Sequence, residues 1–252
     1  MRVLITGGSG FIGRHLVNLE HNSTNWDIKD GIDVREMTGE TSFTHVFHCA
    51  SSKSVPAGEI HYRRFIENNC VMAAHLAKIF PKARIVNLSS SSANEIKSIY
   101  GMTKAFTELM NVQHPNWVNV RLYNVFGEGQ FYESGAVVPK FISSYLRGEM
   151  PVVYGSGEQR RDFTYVGDVV AALHDIMFNS DRTGVVHIGY GEPISVLGLL
   201  EQIFQEFPKV KYMPKREVDI LDSCSPEPMK RVVYGRTEGL RRTIEWMRHE
   251  KA

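Results

Sequence analysis

Residues 1–16, Met1-Arg-Val-Leu-Ile-Thr-Gly-Gly-Ser-Gly-Phe-Ile-Gly-Arg-His-Leu16, decide how the rest of the chain is read. Arg2 to Thr6 is a short, mostly apolar run of the length of a buried strand. Gly7 to Gly10 make a turn, and Phe11 to Leu19 open a helical pattern. Gly8-Ser-Gly-Phe-Ile-Gly13 satisfies G-x-G-x-x-G, while Gly7, Gly10 and Gly13 satisfy G-x-x-G-x-x-G. Glycines so spaced allow a tight turn with positive φ, close approach of a pyrophosphate to the backbone, and close packing of helix on strand. The pyrophosphate then rests on the free N–H groups and positive dipole end of the helix that starts near Phe11. A glycine-rich surface turn has the same spacing, but a strand before it and a helix after it mark a dinucleotide site.

Working outward, 252 residues suffice for one large domain or a domain with a smaller lobe. With 29 basic and 28 acidic residues, neither a nucleic-acid nor an anionic-membrane partner is implied. No apolar run approaches the ~18 residues of a membrane span, and the immediate strand and glycine turn leave no signal peptide to expect. Cys49, Cys70 and Cys224 are widely spaced and odd in number, which reads as reduced thiols in a cytoplasmic protein.

A short second strand is expected around Trp26 to Ile28, ending at Asp30. An acidic side chain about 20 residues beyond the glycine turn binds the adenosine ribose and disfavours a 2′-phosphate. Asp27 and Asp30 both qualify, with solvated turn aspartates as the alternative; Arg14, Lys29 and Arg35 lie near, so NAD is preferred and NADP not excluded. His45 to Ala50 is another buried-strand run. Its histidines, His45 and His48, lack the helical spacing and partners of a metal set, so they read as structural and no metal is expected. Gly58 to Phe80 has the 3–4 spacing of a helix, and Arg84 to Leu88 is a strand ending in Ser89-Ser-Ser-Ser92.

Ser98 to Val112 reads as a helix. At about 100° per residue, Tyr100 and Lys104 share a face distinct from the apolar one of Met102, Phe106, Leu109 and Met110. Such a pair is most often a solvated face, yet it follows a serine-rich strand end, where ligands of open α/β sheets sit. With Trp117 to Leu122 as the next strand, the alternation indicates a doubly wound parallel sheet. Beyond Gly127, glycines punctuate short segments. A helix is expected over 138–147, sheet-returning segments over 162–178 and 184–188, a loop over 222–228 and a terminal helix over 237–249.

Several ordered motifs together resemble the extended short-chain dehydrogenase/reductase family, in its nucleotide-sugar epimerase/dehydratase branch. They are Thr6 to Gly13, His48-Cys-Ala50 with Lys53, Asn68-Asn69, the serine run, Tyr100-x-x-x-Lys104, Arg121-Leu-Tyr-Asn-Val-Phe-Gly127, Gly155 to Val166 with Asp168, and His187-Ile-Gly189. The resemblance implies a Rossmann-type α/β fold with NAD(P) on a first domain (1–124 with about 162–188). A smaller, mostly C-terminal lobe (about 125–161 with 189–252) would bind a nucleoside-diphosphate sugar.

It assigns the cofactor to Gly7, Gly10, Phe11, Ile12, Gly13, Asp30, Asp33, Val34, Ala50, Lys53, Asn68, Ser89, Tyr100 and Lys104. Tyr100 would be the general base, Lys104 its electrostatic partner and ribose anchor, and a serine would orient the reacting oxygen. Counting from the strand end selects Ser91, whereas aligning on Ala93 selects Ser92. Ser91, Ser92, Asn124 and Arg161 would meet the substrate, Arg161 through its diphosphate with Arg216 as an assistant, and Asn124 through a phosphate or else by contact with the adjacent chain.

A NAD-dependent C4 epimerase in the cytoplasm is the leading expectation, with a dehydratase or ketosugar reductase as the alternative and a non-catalytic sensor or scaffold as another. The dehydratases of this branch carry acids just after the active-site hydroxyl, whereas here Glu95 is the first. The helices holding Phe65–Phe80 and Met102–Met110 are expected to form a homodimer interface. Ser91 and Tyr100 are only nine positions apart, shorter than the family's usual loop.

Overall fold

A computed structural model describes residues 1–38, 42–215 and 222–250. Among these, the strands are β1 (Val3–Thr6), β2 (Thr24–Trp26), β3 (His45–His48), β4 (Arg84–Ser90), β5 (Trp117–Leu122), β6 (Val152–Tyr154), β7 (Arg160–Arg161), β8 (Gly184–Ile188), β9 (Ile194–Ser195), β10 (Lys211–Met213) and β11 (Asp222–Ser223). The helices are α1 (Phe11–Leu19), α2 (Val55–Ile60), α3 (Tyr62–Phe65), α4 (Met72–Ile79), α5 (Ile99–Glu108), α6 (Val137–Arg147), α7 (Val166–Phe178), α8 (Val196–Phe204) and α9 (Gly235–His249), with short 3₁₀ and π turns between. No helix among the described residues is long and apolar enough to cross a membrane.

The chain forms two compact units, Met1–Leu122 with Val170–His187 and Tyr123–Val169 with Ile188–Ala252. Residues 162–169 therefore cluster with the second unit rather than with the sheet.

The first unit holds a six-stranded sheet ordered β2-β1-β3-β4-β5-β8, with β1 to β5 paired in parallel. The order reverses between β1 and β3, the place where open α/β sheets take their ligands. Strand residues such as Leu4, Val46, Ile85 and Trp117 are buried against Ala73, Leu76 and Phe80, as continuous apolar runs in a two-sided sheet require. Trp26, Phe43 and Phe80 pack together in this core, with ring centroids 5.6, 5.9 and 6.1 Å apart.

Several boundaries differ from expectation. The second strand stops at Trp26 because Asp27 accepts from the Lys29 amide and caps a 3₁₀ turn over Ile28–Asp30. The helix expected over 58–80 starts earlier, breaks at His61 and winds as a π-helix over Ile66–Val71. Helix α5 begins after Ser98, whose Oγ accepts from the Gly101 amide, and its last turn tightens to 3₁₀. Asp222–Ser223 is a strand rather than loop, paired with β7.

In the second unit, α6 packs against α8 and α9 around Phe141, Ile142 and Leu199. Two buried carboxylates tie its loops together. Asp162 accepts from the amides of Tyr190, Gly191 and Ser225, while Asp168 accepts from Tyr190 Oη and the amides of Val233, Tyr234 and Gly235.

Candidate functional site

The glycine turn is built as its spacing demands. Gly7 has φ +71°, and a Cβ there would lie 2.6 Å from the Ala50 amide nitrogen; one on Gly13 would lie 2.2 Å from the Gly7 carbonyl oxygen. Gly10 caps α1 without a side-chain bond, and no acid occupies the first turn. The amides there suit an anion.

A cavity of about 390 Å³ opens beside this turn. It is lined by Gly7 and Gly10, by Asp27 and Lys29 after β2, by Asp33, Val34 and Arg35, by Ala50 to Lys53 after β3, and by Arg64, Phe65 and Asn68. The lining, with the glycine turn at one side and the acidic residues after β2 at the other, fits the adenosine and pyrophosphate part of a dinucleotide. Asp33 is held below the usual carboxylate range by its hydrogen bonds from Arg35, whose other arm donates to Asn68 Oδ1.

Not every residue assigned to the cofactor lines this cavity. Asp27 does, while Asp30 accepts from Asn25 Nδ2 and Ser9 Oγ outside it. Phe11, Ile12 and Gly13 belong to α1 and do not line it, nor do Ser89, Tyr100 and Lys104. Ser89 instead donates its hydroxyl to Glu108 Oε1 at 2.6 Å. His61 and Arg64, which no local motif singles out, reach the cavity from the broken helix.

The second cluster lies on α5. Lys104 is not on a solvated face: it is 4% exposed, whereas Met102, Phe106 and Leu109 are 43, 41 and 60% exposed. Met102, Phe106 and Leu109, on the apolar face expected to meet a second copy, point outward, while Met110 packs against the core. Lys104 Nζ donates to the Leu88 carbonyl at 2.7 Å and to Ser51 Oγ at 3.1 Å, and Ser51 lines the cofactor-sized cavity. Burial pushes Lys104 down to about 8, against the opposing pull of Cys49, Glu108 and Cys70.

Tyr100, one turn earlier, has its ring centroid 5.9 Å from that ammonium. Burial raises its phenol above the ordinary value, and a hydrogen bond from Ser90 opposes the rise. Desolvation therefore outweighs the opposing effect of Ser90.

Of the four serines it is Ser90 that opposes the rise in the phenol's pKa; its Oγ accepts from the Ser92 amide, and Ser91–Ala93 form a 3₁₀ turn. In a run of four serines, no local signal distinguishes Ser90. His48 bonds Thr6 Oγ1 at 2.8 Å, and burial pushes it down to about 3, so it is a neutral, structural histidine.

The second unit has its own cavity, of about 220 Å³. Asn124, Lys140, Gln159 and Arg161 supply its polar groups, and Val137, Phe141, Val152 and Val196 its apolar wall. Asn124 adopts φ +30°, a left-handed conformation asparagine tolerates. Lys140 is a cation the sequence reading missed, and Arg216 lies outside the described residues.

Solved structures share this architecture. A UDP-N-acetylglucosamine 4-epimerase from Methanobrevibacter ruminantium, in complex with UDP-N-acetylmuramic acid, superposes with a TM-score of 0.86 at 27% identity, covering 99% of this chain and 98% of that one. A Thermus thermophilus UDP-glucose 4-epimerase complex with NAD gives 0.84 at 26% identity, covering 98% and 99%. Among curated relatives, UDP-glucuronic acid decarboxylase 6 of Arabidopsis thaliana is 28% identical over 92% of this chain and 80% of its own length. The family profile matches residues 3–189, and the chain belongs to the NAD dependent epimerase/dehydratase family.

Proposed function

We propose that this chain is a nucleotide-sugar epimerase that inverts C4 of a nucleoside-diphosphate hexose through a 4-keto intermediate, with NAD as cofactor. One observation carries the reading: the Tyr100 phenol ring lies beside the buried Lys104, whose ammonium also reaches Ser51 on the wall of the larger cavity. The first unit would hold NAD in the larger cavity, with its pyrophosphate on the α1 amides, Asp27 on the ribose and Asp33 and Val34 near the adenine. Bound NAD would accept the C4 hydride and return it.

Tyr100 takes the proton of the C4 hydroxyl as the carbonyl forms, and gives it back on reduction. Ser90 favours the phenolate, since it lowers the phenol's pKa, and Ser91, first in the 3₁₀ turn, is assigned to the sugar oxygen. Lys104 supplies the positive charge that favours the phenolate. Rotation of the keto sugar before reduction gives the opposite configuration. The second unit's cavity would take the nucleoside diphosphate, with the guanidinium of Arg161 and ammonium of Lys140 on phosphate oxygens, Asn124 beside them, and the base on the apolar wall.

Glu95 supports this reading over dehydration: it is exposed, and its carboxylate pairs with Lys97 at 2.5 Å. A second reading, decarboxylation of a nucleotide-linked uronic acid, has the support of the Arabidopsis relative and begins with the same C4 oxidation. The protein would act as a homodimer. Exposed Tyr62 and Ile66 stand on elements packed against α5, which exposes Met102 and Phe106; Phe65 and Phe80 are buried in the core instead. Its free thiols suit a reducing, cytoplasmic setting.

The test is incubation of the purified protein and NAD with UDP-glucose, UDP-N-acetylglucosamine and UDP-glucuronic acid, with products resolved by mass spectrometry and NMR. A C4 epimer of equal mass is expected. A pentose or a 4-keto-6-deoxy product would replace the reading.

A further inference from the structure

Three consecutive residues of β4 are each bonded to α5. Asn87 Nδ2 donates to Thr107 Oγ1 at 3.0 Å, the Leu88 carbonyl accepts from Lys104, and Ser89 donates to Glu108, with Ser90 next in the strand. Lys104 and Ser90 belong to the proposed chemistry. Glu108 does not, yet it is buried, and its position four residues after Lys104 puts it on the same face of α5.

Its carboxylate is fully engaged. Oε1 accepts from Ser89 and from Arg121 Nε at 2.8 Å, and Oε2 accepts from Arg121 Nη2 at 2.6 Å. The third nitrogen of that guanidinium, Nη1, donates to Asn94 Oδ1. Asn94 follows the serine turn directly, and its amide donates to the Ser91 carbonyl at 3.1 Å. A planar fork thus joins a carboxylate on α5 to the residue that closes the turn after β4.

Buried ion pairs add little net stability, because desolvation offsets their attraction; what a fork of fixed shape does supply is geometry. The connection from Ser91 to Tyr100 is short and strained, with Ile96 at φ +46°, so the turn needs an external hold. From this geometry we infer that Glu108, Arg121 and Asn94 are positioning residues, which fix the serine turn over residues 90–93 in register with Tyr100 and Lys104. The inference rests on the reading of Tyr100 as the base of the reaction.

The variants follow from the geometry. Arg121→Lys keeps a cation opposite Glu108 but has no second arm for Asn94. Asn94→Ala, at an exposed position, removes the acceptor with little risk to folding, and Asn94→Asp restores one. Two measurements are needed: amide hydrogen exchange at Ser92 and Asn94 in the protein without substrate, and kcat, KM and NAD affinity with the substrate that the wild type turns over. Arg121→Lys and Asn94→Ala are expected to speed exchange in the turn and to lower kcat, each about tenfold, the equivalent of one net hydrogen bond. NAD affinity should be unchanged, and Asn94→Asp should recover both values. Unchanged exchange in the two disruptive variants would overturn the inference, as would faster exchange with an unchanged kcat. A wild type that converts no nucleotide sugar defeats the proposed function instead, while the exchange data still decide whether the fork holds the turn.

Discussion

Replacing Lys104 by methionine should alter stability in a pH-dependent way. The folded ammonium titrates at about 8 against an ordinary value of 10.5, chiefly because it is buried. Below about pH 8 both folded and unfolded chains carry the proton, and the fold bears the whole cost of the buried charge. Between about 8 and 10.5 the unfolded chain still binds a proton that the folded one has released, so this group's contribution to stability rises with pH across that window. At roughly 1.4 kcal/mol per pH unit, the fall from 10.5 to about 8 corresponds to about 3 kcal/mol.

Methionine has similar bulk and no charge, but it leaves the Leu88 carbonyl without its donor, at a cost of roughly 1–3 kcal/mol at every pH. Urea unfolding of both proteins from about pH 7 to about pH 10 should therefore show the wild type gaining about 2–3 kcal/mol on Lys104→Met. Cys70 and Cys49, raised by burial from 9.0 to about 11 and about 12, lower the stability of both proteins above about pH 9, so the difference between wild type and variant carries the Lys104 signal rather than either curve alone. A stability difference independent of pH would refute the desolvated ammonium and the role built on it.

Asp168→Ala should lose on the order of 3–5 kcal/mol in urea unfolding, because Tyr190 and three backbone amides lose their shared acceptor in the interior. A loss under about 1 kcal/mol would mean those donors find other partners. Ile96→Asn should raise the unfolding midpoint by the equivalent of about 1 kcal/mol, since a β-branched, exposed residue sits at positive φ; a lower midpoint would show that its side chain packs. Arg161→Ala should weaken UDP binding by roughly 1.5–3 kcal/mol in calorimetry, the range for hydrogen bonds to charged groups, and leave NAD affinity alone. Equal losses for both ligands would indicate a folding defect.

What the sequence yields without the structure follows the range of the interactions concerned. The glycine turn is legible because its requirements, positive φ at Gly7 and a bare α-carbon at Gly13, involve residues only a few positions apart. The pairing of Tyr100 with Lys104 is legible for the same reason, as one helical turn. Which face of α5 is buried is not. The face of Tyr100 and Lys104 reads as a solvated one, but Lys104 goes inward because Leu88 on β4 and Ser51 in the segment after β3 offer it acceptors, and both are distant in sequence. Ser90 stays hidden among four identical residues until the register of β4 against α5 is known. Asp27 and Asp30 part only when the 3₁₀ turn after β2 sends one into the cavity and the other toward Asn25.

The central claim is that Tyr100 and Lys104 support removal and return of one hydride at C4. The most direct measurement follows a UDP-hexose deuterated at C4 through turnover in ordinary water, with the converse experiment in heavy water. The expected product is a C4 epimer that keeps its deuterium at C4 and takes up none from solvent at C5. Tyr100→Phe should abolish the conversion while still binding NAD. Loss of the C4 label to solvent, uptake at C5, or a product lacking water or carbon dioxide would contradict it.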